Sequence, residues 1–294
     1  YLVKLLINWY STQMYCVQWG SFVSTKFNST NGVKQGGILS PLLFNIYMDK
    51  LSVLLNKTKS GCSYNNTSIN HLCYADDLTL ISPSASGLQK LINVCQEYAI
   101  DHDIIYNEKK TVCMYMQSNL KLFNIPKIWL NGKKIEYVET HKYLGYHVNN
   151  SNDNVDIKRQ LRSLITRANM LVRIFSKCSL EVKANLFQSY CTTMYCAQLW
   201  SNFDNKTYSK IRVTYNNALR KFFNFDRFCS ASGMFANLAI VSFDELRRRN
   251  INSFINRIEA SKNSLVNSFN TSFCILNSNL WQHWHRCLYT IYLS

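Results

Sequence analysis

The chain has 294 residues, 47% of them hydrophobic and 14% aromatic, and its 33 Lys+Arg against 17 Asp+Glu give a net charge of +16. That apolar content excludes a disordered polymer and is enough for two domains or one large one. The cation excess favours a polyanionic partner, nucleic acid before an acidic membrane surface, and no stretch approaches the ~18 uninterrupted apolar residues of a membrane span.

In chain order, residues 1 to about 13 read as helix. Tyr1 opens directly into Leu2-Val3-Lys4-Leu5-Leu6-Ile7 with no signal-peptide layout, so the chain is expected to be a fragment of a longer one. Met14 to Phe27 predicts a hairpin turning on Gly20-Ser21, and Asn31-Gly32 is a second turn signal. The loop Gln35-Gly36-Gly37 leads to Ser40-Pro41, a serine N-cap with proline at the first helical position, and a helix from Pro41 to Asn56. Two strand-like segments, His71-Leu72-Cys73-Tyr74 and Leu78-Thr79-Leu80-Ile81, then flank Asp76-Asp77, which predicts a hairpin with two carboxylates at its tip. A helix from Ser86 to His102, a strand from Lys110 to Met116, a hairpin turning on Asn131-Gly132 and a strand from Lys142 to Val148 follow. After the polar break Asn149-Asn150-Ser151-Asn152 the pattern is helical almost to the end.

In the first helix after the break, Leu161, Leu164, Ile165, Ala168, Leu171, Val172 and Phe175 share one face at 100° per residue. Arg159, Arg162, Arg173 and Lys177 cluster opposite. Residues 156 to 177 hold six basic residues (with Lys158 and Arg167) and one acid, Asp156. An ordinary wet face mixes both signs, so a one-sign face in a cationic chain predicts phosphate contact. Farther on, Leu246-Arg247-Arg248-Arg249 reads as a helix's wet side.

The 11 cysteines are scattered, with no Cys-x-x-Cys pair, which fits reduced thiols in an intracellular protein. Cys274, His283, His285 and Cys287 form the one cluster with metal-ligand chemistry, and their spacing matches no zinc pattern.

Apolar strands need no carboxylates at a turn, although Asp is a common turn residue. Enzymes that transfer nucleotidyl groups do need them, because divalent cations must be held by carboxylate oxygens beside the growing 3′ end. Four segments carry a family resemblance: Asn31 to Met48 around Gln35-Gly36 and Ser40-Pro41, then Tyr74-Ala75-Asp76-Asp77, Asn107-Glu108-Lys109-Lys110-Thr111, and Tyr143-Leu144-Gly145. In order and spacing they resemble the reverse transcriptases of non-LTR (LINE-type, CR1/jockey-like) retrotransposons. Downstream segments, among them Asn216-Asn217-Ala218-Leu219-Arg220-Lys221, extend the resemblance over nearly the whole chain.

The resemblance implies an α+β fold: a partial polymerase palm (an antiparallel sheet with helices) over 1–150, a helical thumb over 151–225 and a C-terminal helical region over 226–294. It implies two Mg2+ or Mn2+ ions held by Asp76 and Asp77, and Lys110 beside the leaving pyrophosphate. Gln35, Gly36 and Tyr74 would meet nucleotide and template, and Tyr143, Leu144 and Gly145 would grip the primer. Arg159, Arg162, Arg173 and Lys177 would lie along the backbone of the template–primer duplex. The implied partners are an RNA template, a DNA primer and dNTPs, in the nucleus and in a cytoplasmic ribonucleoprotein, with no membrane.

Three departures accompany the matches. The family's third carboxylate lies on a strand upstream of the Gln-Gly loop, and Tyr1 to Ser40 contains no Asp or Glu. Asp103-Ile104 stands where the family has Gly-Leu, and Cys196 stands at the glycine of a Tyr-Gly-x-x-x-Trp pattern, here Tyr195 to Trp200. An inactive fragment is therefore expected. The alternative is a noncatalytic nucleic-acid-binding relic, and a group II intron maturase lacks support because no HNH signature follows.

Overall fold

The computed structural model describes residues 1–29, 32–64, 67–116, 125–270 and 276–289; Asn31 of the second turn signal and Cys274 lie outside them. The chain forms two compact units, one of Tyr1–Cys62 with Ser68–Ile104, the other of Ser63–Thr67 with Ile105–Ser294. Helices with small sheets make the fold α+β. Among the described residues the strands pair two by two and join no wider sheet.

In the first unit, α1 (Leu2–Thr12) precedes two nested antiparallel pairs. The outer is β1 (Met14–Tyr15) with β4 (Phe27–Asn28) and the inner β2 (Gln18–Trp19) with β3 (Phe22–Val23), turning where expected, with Gly20 at φ +61°. Helix α2 spans Ser40–Lys57. Its N-cap is Leu39, not Ser40, and no side chain caps it. The glycine loop folds back so far that the Ser40 hydroxyl donates to the Lys34 carbonyl at 2.5 Å, which removes it from capping.

Strands β5 (Cys62–Tyr64) and β6 (Thr67–Ile69) lead to the antiparallel hairpin of β7 (His71–Tyr74) and β8 (Asp77–Leu80). Helix α3 (Ala85–Asp101) follows, capped by Ser84, whose hydroxyl accepts the Gly87 N–H at 3.1 Å. Leu51 and Leu55 of α2 and Leu91, Ile92, Cys95 and Tyr98 of α3 are buried between these helices. Asn70, 1% exposed, ties the base of the hairpin to α2. Its amide donates to the Leu55 carbonyl at 2.8 Å, and its own carbonyl accepts the Ile81 N–H at 2.8 Å. Gly61 passes so close that a Cβ would lie 2.4 Å from that of Asn70, so only glycine fits.

In the second unit, β9 (Val112–Cys113) pairs in parallel with β12 (Glu136–Tyr137), the long connection a parallel pair requires being supplied by the chain between them. The strand expected from Lys110 to Met116 is thus two residues long. Within that connection β10 (Trp129–Leu130) and β11 (Lys133–Lys134) form the predicted hairpin, with Asn131 at φ +49° and Gly132 at φ +75°. The single strand expected from Lys142 to Val148 is instead a second hairpin, β13 (Thr140–Tyr143) with β14 (Tyr146–Asn149). Leu144 (φ +45°) and Gly145 (φ +83°) make its turn; the left-handed pair is the geometry two-residue hairpins prefer.

The helices are α4 (Asn154–Phe175), α5 (Leu180–Cys191), α6 (Asn205–Phe223), α7 (Ala231–Leu238), α8 (Phe243–Glu259), α9 (Ser264–Asn270) and α10 (Asn279–Tyr289). Ser179, Asp204 and Ser242 cap α5, α6 and α8 through side-chain oxygens. Leu161, Leu164, Ala168 and Leu171 of α4 join Phe187, Trp200, Ile211, Tyr215 and Leu219 in one core. Ile165 was expected on that face and is 42% exposed. The buried seam runs instead through Ile157 and Gln160, because α4 packs against α5 on one side and α6 on the other.

Arg247 is not on a wet side either. It is 4% exposed, its guanidinium carbon lies 5.2 and 5.3 Å from the ring centroids of the stacked pair Phe203 and Tyr208, and it donates to the carbonyls of Ala197 and Trp200. It also donates to His283 Nε2 at 2.7 Å, and Cys287 Sγ lies 3.2 Å from the same nitrogen. A guanidinium thus holds the lone pair a metal would use, and among the described residues no three His, Cys, Asp or Glu gather for a metal. Burial, aided by Arg247, pulls the His283 pKa from 6.5 down to about 4. His283 is therefore neutral in the folded chain and gains a proton on unfolding below pH 6.5. Stability is expected to fall progressively from pH 6.5 toward pH 4. Urea midpoints measured across that range should slope less in His283→Gln; equal slopes would contradict this.

Candidate catalytic and nucleic-acid site

The hairpin of β7 and β8 closes on Ala75-Asp76, with Tyr74 opposite Asp77 and Ala75 at φ +51°. A two-residue turn leaves no length to fold the acids inward, so Tyr74 (63% exposed), Asp76 and Asp77 all face solvent. Among the described residues neither carboxylate makes an ion pair with Lys or Arg. Two adjacent sets of hard oxygen ligands at a hairpin tip suit a small divalent cation that keeps part of its water and takes further oxygens from phosphates. Gln35 and Gly36 belong to the same unit and are exposed. A Cβ on Gly36 would meet nothing within 4 Å, so its φ of +79°, and no close approach within this chain, is what asks for glycine there.

The second unit carries the other predicted residues. Asn107 Oδ1 accepts the N–H groups of Lys109 and Lys110 at 3.1 and 3.2 Å, and the Thr111 hydroxyl donates to the Asn107 carbonyl at 2.9 Å. The Asn and Thr of the motif therefore build a turn that presents Lys110 to solvent. Glu108 braces this turn against the β10–β11 hairpin through Asn131 and Lys133; the Lys133 ammonium holds its carboxyl below the ordinary range.

Tyr143, Leu144 and Gly145 sit at the tip of the β13–β14 hairpin, with Leu144 37% exposed. The turn end of β14 is anchored to the start of α4. Tyr146 donates to Asp153 at 2.7 Å, and the His147 N–H donates to Asp156 at 3.2 Å. Asp156, fully buried, also accepts the Trp200 indole N–H at 3.0 Å and Arg159 Nε at 2.9 Å.

Arg159 is accordingly half-buried and bound to Asp156, while Arg162, Arg173 and Lys177 are exposed with Lys158. Lys158, Arg162, Asn169 and Arg173 fall at helical spacing along one side of α4, a stripe of about 22 Å at 1.5 Å per residue, and Lys177 lies in the turn just past its end. Lys221 of α6 joins it by donating to Asn169 at 3.1 Å. Sequence reasoning missed Lys221, because only the packing of α6 on α4 brings it there. It also missed Asp156 as a hub, and no local pattern distinguishes a buried Asp in a first turn from an ordinary helix-start acid.

Both departures from glycine occupy left-handed backbone: Asp103 at φ +50° and Cys196 at φ +61°. Cys196→Gly is expected to raise stability by about 1 kcal/mol by relieving that conformation. A lowered urea midpoint would contradict it.

The sequence profile of a family described as reverse transcriptase (RNA-dependent DNA polymerase) matches residues 4–148. The chain is 22% identical over 253 residues to "RNA-directed DNA polymerase from mobile element jockey" of Drosophila melanogaster, a match spanning 82% of this chain and 27% of that protein. It is 24% identical over 280 residues to "Probable RNA-directed DNA polymerase from transposon X-element" of the same species, spanning 91% of this chain and 30% of that protein. A stretch of 70 residues, 24% of this chain and 6% of the relative, is 41% identical to "Retrovirus-related Pol polyprotein from type-2 retrotransposable element R2DM", also of Drosophila melanogaster. The chain thus spans under a third of the length of these relatives.

Proposed function

Because this chain belongs to the reverse transcriptase (RNA-dependent DNA polymerase) family of non-LTR retrotransposons, we propose that it carries the catalytic hairpin, primer-contacting turn and duplex-binding helices of RNA-templated DNA synthesis. The observation that carries the reading is the solvent-facing Asp76–Asp77 pair at a hairpin tip. We assign 1–150 to a partial palm, 151–225 to a thumb and 226–294 to a C-terminal helical region.

Two Mg2+ or Mn2+ ions, when bound, supply Lewis-acid activation of the primer 3′-hydroxyl and neutralise the leaving pyrophosphate. Asp76 holds them, with Asp77 as the weaker companion. Gln35, Gly36 and Tyr74 border the dNTP and template. Lys110, presented by its Asn–Thr turn, places a positive charge or a proton at pyrophosphate. The Leu144–Gly145 turn bears on the primer end, and the exposed stripe of Arg162, Arg173 and Lys177 follows duplex phosphates without reading sequence. We propose that the work is done in the nucleus and in a cytoplasmic ribonucleoprotein. Among the described residues no helix is long and apolar enough to cross a membrane.

A noncatalytic nucleic-acid-binding role is the second reading, favoured by the exposed basic stripe of Arg162, Arg173 and Lys177, which needs no carboxylate to meet phosphates. Primer extension on an RNA template, in Mg2+ or Mn2+, separates the two. The assay compares this chain with a version carrying an acid-bearing polymerase strand ahead of Tyr1. Incorporation is expected from the longer version alone and only while Asp76 is intact. Equal incorporation by Asp76→Ala overturns the metal assignment.

A further inference from the structure

We propose that Tyr195 is a positioning residue that fixes the direction of the Leu144–Gly145 turn toward a primer terminus. The inference rests on the reading of Tyr143–Gly145 as the primer-contacting turn. The Tyr195 hydroxyl donates to the Leu144 carbonyl at 2.8 Å. Its ring lies flush against Gly145: a Cβ added there would sit 3.1 Å from Tyr195 Cε1, tighter than side chains normally pack. One aromatic side chain therefore holds both turn residues, by a hydrogen bond at one and by contact at the other.

Tyr195 is itself held from behind by α4. Gln160, 2% exposed, donates to the Tyr195 carbonyl at 2.8 Å. Arg167 donates twice to the Thr193 carbonyl, at 3.1 and 3.2 Å. Left-handed Cys196 then turns the chain into the short 3-10 segment Ala197–Leu199, whose Ala197 is buried. The loop bearing Tyr195 is thus fixed to the helix that presents the basic stripe.

The hairpin does not need Tyr195 to form. Its register is set by four residue pairs and its left-handed turn, and the start of β14, next to the turn, is anchored through Tyr146 and His147. Those anchors hold β14 beside the turn and are made by neither Leu144 nor Gly145. Tyr195 adds a constraint on the turn residues themselves, where a misplacement of about 1 Å is costly to a reacting terminus.

The test compares the chain's affinity for an RNA–DNA duplex with a recessed DNA 3′ end against the same duplex with blunt ends, by fluorescence anisotropy at one fixed salt concentration. Tyr195→Phe keeps the ring and loses the hydroxyl. The preference for the recessed end is expected to fall about fivefold, the worth of one hydrogen bond, with blunt-duplex affinity and Tm unchanged. Gly145→Ala, which pushes on the ring, is expected to lower the same preference, and the double variant to fall no further, because both changes break one element. An unchanged preference in Tyr195→Phe, an equal loss on both duplexes, or additive losses in the double variant overturns the proposal. A wild-type chain that binds both duplexes equally overturns the primer-turn reading itself, and the proposal with it.

Discussion

Replacing Asp156 by Ala is expected to cost about 3–5 kcal/mol of folding stability, a large part of the about 5–15 kcal/mol a domain possesses. The carboxylate is fully buried and each of its oxygens is engaged. Oδ1 takes Arg159 Nε and the His147 N–H, and Oδ2 takes the Trp200 indole N–H. Arg159 Nη2 also lies 2.8 Å from Oδ1 and has no hydrogen-bond partner of its own. Alanine leaves a half-buried guanidinium without its counter-charge and a buried indole N–H without an acceptor, each a recognised cause of large losses. Three elements separate at once: β14, α4 and the turn ending at Trp200. Trp200→Phe removes one donor and keeps a smaller aromatic ring, leaving no charge unpaired, so it should cost less. Asp156→Asn combined with Arg159→Gln should cost less than the sum of the two, since one network is lost once. Urea unfolding of the five variants, single and combined, checks this; a loss under about 1 kcal/mol for Asp156→Ala would contradict the network account.

That network also shows where sequence reading reaches its limit. Turn chemistry was legible, because glycine and asparagine requirements are local: Gly20-Ser21 and Asn131-Gly132 lie where their residues demand. Leu144-Gly145 was read as strand because leucine hides a left-handed turn that only its neighbour betrays. The Asp76–Asp77 tip was legible from two apolar runs flanking acids. The parallel pair of β9 and β12, the burial of Arg247 and the pairing of Arg159 were not, because each depends on residues far away in sequence. A charged residue on a helix looks the same from its neighbours whether it meets water or a buried partner. On the basic face of α4, Arg159 is bound to the buried Asp156, and Lys221 of α6 reaches the same face by donating to Asn169.

The second large effect is chemical. In RNA-templated extension by the version that carries an acid-bearing strand ahead of Tyr1, Asp76→Asn is expected to lower kcat by at least about 10^3-fold, since metal stabilisation of the transferring phosphoryl group is worth several kcal/mol and each 1.36 kcal/mol is tenfold. Asn preserves shape and the turn while removing the charge and one hard oxygen. The hairpin should stay folded, because Asp76 makes no ion pair and faces solvent, and its base is held by Asn70. Asp77→Asn is expected to cost about 10- to 100-fold, the range of a supporting contact to a metal site. Urea midpoints within about 0.5 kcal/mol of wild type would accompany both. A loss of activity matched by a loss of stability would assign the acids to folding instead.

The central claim is that the Asp76–Asp77 tip holds a divalent ion beside a primer terminus. Fe2+ substituted for Mg2+, with ascorbate, tests it directly on this chain bound to a recessed RNA–DNA duplex, because hydroxyl radicals cut what lies next to the iron. The account predicts primer cuts confined to a few nucleotides at the 3′ end and chain cuts around residues 74–78, both lost in Asp76→Asn. Cuts spread evenly along the duplex, or an unchanged pattern in Asp76→Asn, would contradict it.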